Sequence, residues 1–206
     1  MRAARHVSAS LVATIVLLAG VASAAPVQAA SRPDAIVIGD SLTYRGTPDL
    51  LARQPSWVVD AMRGRRVGAL PRRIQVDVAA HGIPRNLVLA LGQNPTAGWT
   101  RADYAAATRL VPSRTQVFFV TTYRDPAVFG QPAADQQKTY SRWMRNIAAH
   151  RANVHVLDWR RLVLDGSAVL VDGSHPDEPS RQVWADLIVD GVAEVTARPR
   201  AAAPAA

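Results

Sequence analysis

Five short, uninterrupted apolar runs set the strongest limit on how this chain folds. Ala35-Ile36-Val37-Ile38 stops at Gly39, Trp57-Val58-Val59 at Asp60, and Leu87-Val88-Leu89-Ala90-Leu91 at Gly92. Gln116-Val117-Phe118-Phe119-Val120 runs into two threonines, and Val154-His155-Val156-Leu157 stops at Asp158. Continuous runs of β-branched and aromatic residues suit strands buried on both faces, as in a parallel sheet. Longer amphipathic stretches separate them, clearest over Asp135 to Ala149 and Glu178 to Thr196. In the second, Val183, Leu187, Ile188, Val192 and Val195 fall near one face of a 3.6-residue period. Alternating units of this kind predict an α/β fold: a three-layer α/β/α sandwich with a five-stranded parallel sheet and right-handed crossovers.

The rest of the composition narrows the function. With 206 residues the chain makes one domain plus its ends, large enough to bury a core without disulfide or metal staples. No cysteine is present, which excludes thiolate zinc sites, iron–sulfur clusters and thiol catalysis. The formal charge of +8 invites a nucleic-acid reading, but Lys138 is the only lysine and the arginines are scattered rather than striped. Only Arg63, Arg65 and Arg66 with Arg72 and Arg73 approach a cluster, read here as a helix surface suited to anionic polymers. No nucleic-acid partner is expected.

At the N-terminus, Arg2 and Arg5 precede an apolar run from Leu11 to Ala19. Two small-residue exits follow, Ala22-Ser23-Ala24 and Val27-Gln28-Ala29. This is the form of a secretory signal peptide over residues 1–29, cleaved after 24 or after 29. An uncleaved anchor is the alternative, but the strongly apolar part is about half the ~20 residues a spanning helix needs. A secreted, monomeric product is expected, with its domain over 30–196. Residues 197–206 read as a disordered Ala/Pro tail.

Active sites of α/β sheets lie beyond the C-terminal strand ends, so the residues there carry the functional reading. Gly39-Asp40-Ser41-Leu42-Thr43 follows the first run. A serine there can present its Oγ at a helix N-terminus, where free N–H groups favour a developing oxyanion. The same tripeptide also makes ordinary turns and N-caps. Near the chain end stands Asp172-Gly173-Ser174-His175-Pro176, where one tight turn can carry an acid and a base three residues apart. Its alternative is a surface loop capping the next helix. Asn94, in Gly92-Gln93-Asn94-Pro95, offers a side-chain amide to an oxyanion; Gly64, after Asp60-Ala61-Met62-Arg63, offers a backbone N–H. Both could equally be plain turns. His155 reads as structural, and His150 as a cation at a helix C-terminus.

Taken jointly, these blocks resemble the SGNH hydrolases, also called the GDSL family. The likeness runs from about Asp34 to Val195 and is sharpest in Ile38-Gly39-Asp40-Ser41-Leu42-Thr43 and Asp172-Gly173-Ser174-His175-Pro176. Val59-Asp60-Ala61, Gly64-Arg65, Leu91-Gly92-Gln93-Asn94 and Asp158-Trp159 are most similar to the branch associated with bacterial membrane acyltransferases. The resemblance implies a catalytic set of Ser41, Asp172 and His175, with an oxyanion hole from Ser41, Gly64 and Asn94. Gly82 competes with Gly64, although it reads better as a helix C-cap. The chain departs from the family pattern at Pro95 and across Glu178-Pro179-Ser180, where the usual Asp and Gly are missing. The implied activity is hydrolysis of a small ester or acylated carbohydrate through an acyl-enzyme, with no metal and no organic cofactor. Acyl transfer to a sugar hydroxyl and a non-catalytic binding module are the alternatives.

Overall fold

A computed structural model describes residues 32–197; the expected signal peptide and nearly all of the expected tail lie outside the described residues. Strands β1 (Ala35–Gly39), β2 (Val58–Ala61), β3 (Asn86–Ala90), β4 (Gln116–Val120) and β5 (Val154–Leu157) pair in the order β2-β1-β3-β4-β5. Every pairing is parallel. Each of the five apolar runs becomes a strand, with ends shifted by a residue or two.

The pattern within β1, β3 and β4 explains why their apolar runs are unbroken. Ile36 and Ile38, Leu87 and Leu89, and Val117 and Phe119 enter one core. Their neighbours Ala35 and Val37, Val88 and Ala90, and Phe118 and Val120 enter the other. Side chains alternate across a strand, so burial on both faces demands an apolar residue at every position.

Helices α1 (Ser41–Arg53), α2 (Leu70–His81), α3 (Arg101–Thr108), α4 (Pro126–Phe129), α5 (Gln131–Ala149), α6 (Trp159–Leu164) and α7 (Glu178–Ala197) complete the chain. Leu70 and Ile74 of α2, Tyr104 of α3 and Met144 of α5 close the first core. Leu50 of α1, Trp159 of α6 and Trp184 and Ile188 of α7 close the second. The result is the expected three-layer sandwich. The helix expected over Asp135 to Ala149 starts earlier, at Gln131, because Pro132 is accommodated in its first turn, where no N–H is required. Among the described residues no helix is long and apolar enough to cross a membrane.

The five arginines expected to form one helix surface do not do so. Arg65 is buried in the turn after β2 and donates to the Asp60 carbonyl and carboxylate, both at 2.7 Å. Arg73 reaches the same carboxylate at 2.6 Å and Asp77 at 3.0 Å, while Arg63 lies over the Tyr44 ring. Two of the five cations are therefore paired with carboxylates: Asp77 lies one turn along α2 from Arg73, and Asp60 of β2 meets both arginines.

Candidate active site

In a sheet of this order the crevice opens where the winding reverses, between β1 and β3. Ser41 follows β1, Asn94 follows β3 and Gly64 follows β2, so the three residues collect along one sheet edge.

Asp40 builds the serine's position. It is the N-cap of α1, and its carboxylate accepts from the Leu42 N–H at 3.1 Å. This makes Ser41 the first helical residue, whose N–H has no partner within the helix. Gly39 is needed for close approach: a Cβ there would lie 1.7 Å from Thr43 Oγ1. Burial pushes the Asp40 carboxyl up to about 7, against the opposing hydrogen bonds from the Leu42 and Gln93 N–H groups and the nearby Arg124 charge.

The Asp172–His175 turn reaches the serine from the far end of the chain. The Asp172 carboxylate accepts from the His175 N–H at 2.7 Å and the Ser174 N–H at 3.1 Å, which fixes the turn. Its second oxygen lies 2.7 Å from His175 Nδ1, and His175 Nε2 lies 2.8 Å from Ser41 Oγ. An ionised carboxylate only accepts, so Nδ1 carries the proton and Nε2 is left to accept from the serine hydroxyl. Burial works against the Asp172 charge, but the N–H groups and imidazole around it hold its carboxyl below the ordinary range. Asp172, His175 and Ser41 thus form one continuous hydrogen-bonded line.

The two remaining candidates follow β2 and β3 at the same sheet edge. Gly64 takes φ +71°, open to glycine at little cost, and nothing lies within 4 Å of where its side chain would begin. The Met62 N–H donates to the Gly39 carbonyl at 3.3 Å, tying this turn to the end of β1. Gly82 caps α2 ahead of β3, at the opposite sheet edge from Ser41. Asn94 is held at both ends of its amide: Nδ2 donates to the Arg65 carbonyl at 3.3 Å, and Oδ1 accepts from Arg124 at 3.2 Å. That pairing settles which way the amide faces, and leaves one Nδ2 hydrogen for another acceptor.

Two residues with no role in the sequence reading help hold the site together. Gln93 is 2% exposed and joins four segments. Its backbone N–H donates to Asp40, and its Nε2 donates to Ser174 Oγ at 2.8 Å and to the Tyr123 carbonyl. Arg124 bridges to Asn94 as described. Neither carries a local signal, because a buried glutamine or a half-buried arginine in a loop looks in sequence like an exposed one. Of the other histidines, His155 hydrogen-bonds Gln116 and lies on Phe118, and His150 caps α5. Among the described residues no three His, Asp or Glu side chains gather as a metal ion would require.

No protein-family model matches the chain, and no curated protein matches it. Solved structures do. The C-terminal catalytic domain of the Streptococcus pneumoniae peptidoglycan O-acetyltransferase OatA, which carries a methylsulfonyl adduct, superposes with a TM-score of 0.71 at 16% identity. That match covers 82% of this chain and 97% of the other. A lipase/acylhydrolase from Enterococcus faecalis gives 0.66 at 17% identity, covering 82% and 99%. An acetyl xylan esterase variant from Geobacillus stearothermophilus gives 0.59 at 16%, covering 77% and 93%. The chain therefore shares the three-layer α/β/α fold of these proteins.

Proposed function

We propose that this protein is a secreted serine ester hydrolase of the SGNH (GDSL) family, acting as a monomer on O-acetyl groups of extracellular or envelope polysaccharide. The observation that carries the reading is the unbroken line from Asp172 through His175 to Ser41 Oγ, with contacts of 2.7 and 2.8 Å. His175 takes the serine proton as Oγ attacks the ester carbonyl, and returns it to the departing alcohol. Asp172 holds the imidazole tautomer and stabilises its transient charge. The oxyanion is met by the N–H groups of Ser41 and Gly64 and by the Asn94 amide. Each such donor is worth roughly 3–4 kcal/mol in the transition state. Water, activated by the same histidine, then releases the acyl group.

The acetylated carbohydrate substrate is supported by two of the similar folds, a peptidoglycan O-acetyltransferase domain and an acetyl xylan esterase. The first of these also favours one second reading, transfer of the acyl group to a sugar hydroxyl, which needs the same residues. Secretion rests on the N-terminal sequence pattern.

The test is labelling and turnover on one protein. A sulfonyl fluoride should add a single sulfonyl group at Ser41, and Ser41→Ala should lose both the label and ester hydrolysis while staying folded. The Ser41→Ala/His175→Ala double variant should be no worse than either single change, because the pair acts as a unit. Hydrolysis by Ser41→Ala within tenfold of the parent would overturn the assignment. Release of free acetate with and without an added sugar acceptor separates hydrolysis from transfer.

A further inference from the structure

Arg124 follows β4 at the same sheet edge as Ser41, between two parts of the site. On one side its guanidinium donates to Asn94 Oδ1 at 3.2 Å. On the other, the next residue, Asp125, donates its N–H at 2.8 Å to the Gly173 carbonyl, inside the Asp172–His175 turn. The guanidinium lies 4.7 Å over the Phe129 ring, which holds it in place without neutralising it. Arg65, Arg73 and Arg145 each meet a carboxylate within 3.0 Å. Arg124 meets none among the described residues, and its Nε is buried with no hydrogen-bond partner. The neighbouring Asp125 carboxylate is turned to the Ala127 N–H, where it caps α4. Burial disfavours the Arg124 charge; the pull of buried Asp40 opposes this, but Asp40 makes no salt bridge with the guanidinium and burial pushes its own carboxyl up to about 7.

A half-buried, preoriented guanidinium with no salt-bridge partner, beside an oxyanion donor, fits a ligand that brings an anionic group with it. We propose that Arg124 is a specificity residue that binds an anionic oxygen group, a carboxylate or phosphate, carried by the alcohol part of the ester. The preferred substrate is then an O-acylated acidic sugar rather than a neutral one. This rests on the ester-hydrolase reading above and adds the charge of the substrate to it.

Three esters matched in ring and acyl group form the test: O-acetylated methyl glucuronoside, O-acetylated glucose phosphate and O-acetylated methyl glucoside. The wild-type protein should favour an anionic ester over the neutral one by roughly ten- to hundredfold in kcat/KM, mostly through KM, the range for a charge-assisted hydrogen bond. Arg124→Gln should bring that ratio close to one, and Arg124→Lys should restore part of it. The two anionic esters tell carboxylate from phosphate. A wild-type ratio near one, or a ratio unchanged in Arg124→Gln, overturns the proposal. Equal loss on charged and neutral esters also overturns it, leaving Arg124 only to position Asn94. Calorimetric binding of the same three esters to Ser41→Ala protein reads the charge preference without turnover. Absence of hydrolysis by the wild type would thus count against the esterase reading alone, whereas equal binding of charged and neutral esters would count against Arg124.

Discussion

Gln93→Leu isolates a side chain that ties the loop after β3, whose backbone bonds Asp40, to the histidine's turn. Leucine keeps most of the volume, and the backbone N–H to Asp40 survives the change. What disappears is the pair of bonds that Nε2 donates to Ser174 Oγ and the Tyr123 carbonyl. Ser174 is 3% exposed, so its hydroxyl gains little from solvent. Orphaning a buried polar group costs about 1–3 kcal/mol. Gln93 Oε1 has no partner in the folded protein, so its removal gives part of this back. The net expectation is a loss of about 1–3 kcal/mol, a fall in Tm of roughly 3–10 °C for a domain of this size. Urea unfolding of Gln93→Leu, Ser174→Ala and the double variant should give a coupling of about 0.5–1.5 kcal/mol. Ester turnover by the folded Gln93→Leu protein should fall in kcat, since the histidine turn has lost an anchor, with KM little changed. A coupling within experimental error of zero, together with unchanged kcat, would refute the linkage.

Three further expectations concern single residues. Asn94→Ala should lower kcat about 10²–10³-fold with little change in KM, because the donor meets charge present mainly in the transition state; a stable, fully active variant would exclude the oxyanion role. Asp40 keeps its proton in the folded protein up to about 7, while the unfolded chain releases it near 3.8. Its contribution to stability is therefore complete below 3.8 and lost as pH rises toward 7, so Tm should decline across that window and Asp40→Asn should flatten the decline. Gly46→Ala would place a Cβ 2.8 Å from the Trp184 ring, itself 1% exposed. The overpacking, about 1–3 kcal/mol, outweighs the ~1 kcal/mol helix gain, and Tm should fall while activity at low temperature is kept.

The strands were legible because double-sided burial leaves no room for polar positions, and that pattern is local. The motif blocks were legible because a serine after one strand and an Asp-x-x-His near the end each sit within a few residues. What did not show is whatever depends on meeting across the fold. Asp60 gives no hint that it will collect both Arg65 and Arg73, so five nearby arginines look like a free cationic patch when two are in fact consumed. Gln93 is invisible for the same reason: its partners lie 30 and 81 positions away. Gly82, by contrast, was readable as a helix C-cap from the sequence, and it caps α2 ahead of β3.

Ser41 and His175 stand 134 positions apart, and the hydrogen bond between them closes nearly the whole domain into a loop. Strand β1, directly before the serine, is the first to be made, yet both of its neighbours come later and α1 waits for Trp184 and Ile188 of α7. Contacts of such long sequence separation form late, after the entropy of closing the chain has been met. On the proposed reading, an incomplete chain therefore carries Ser41 with no base to activate it. Ester turnover followed during refolding would time the arrival of the last segment, making the chemistry itself the clock for completion of the fold.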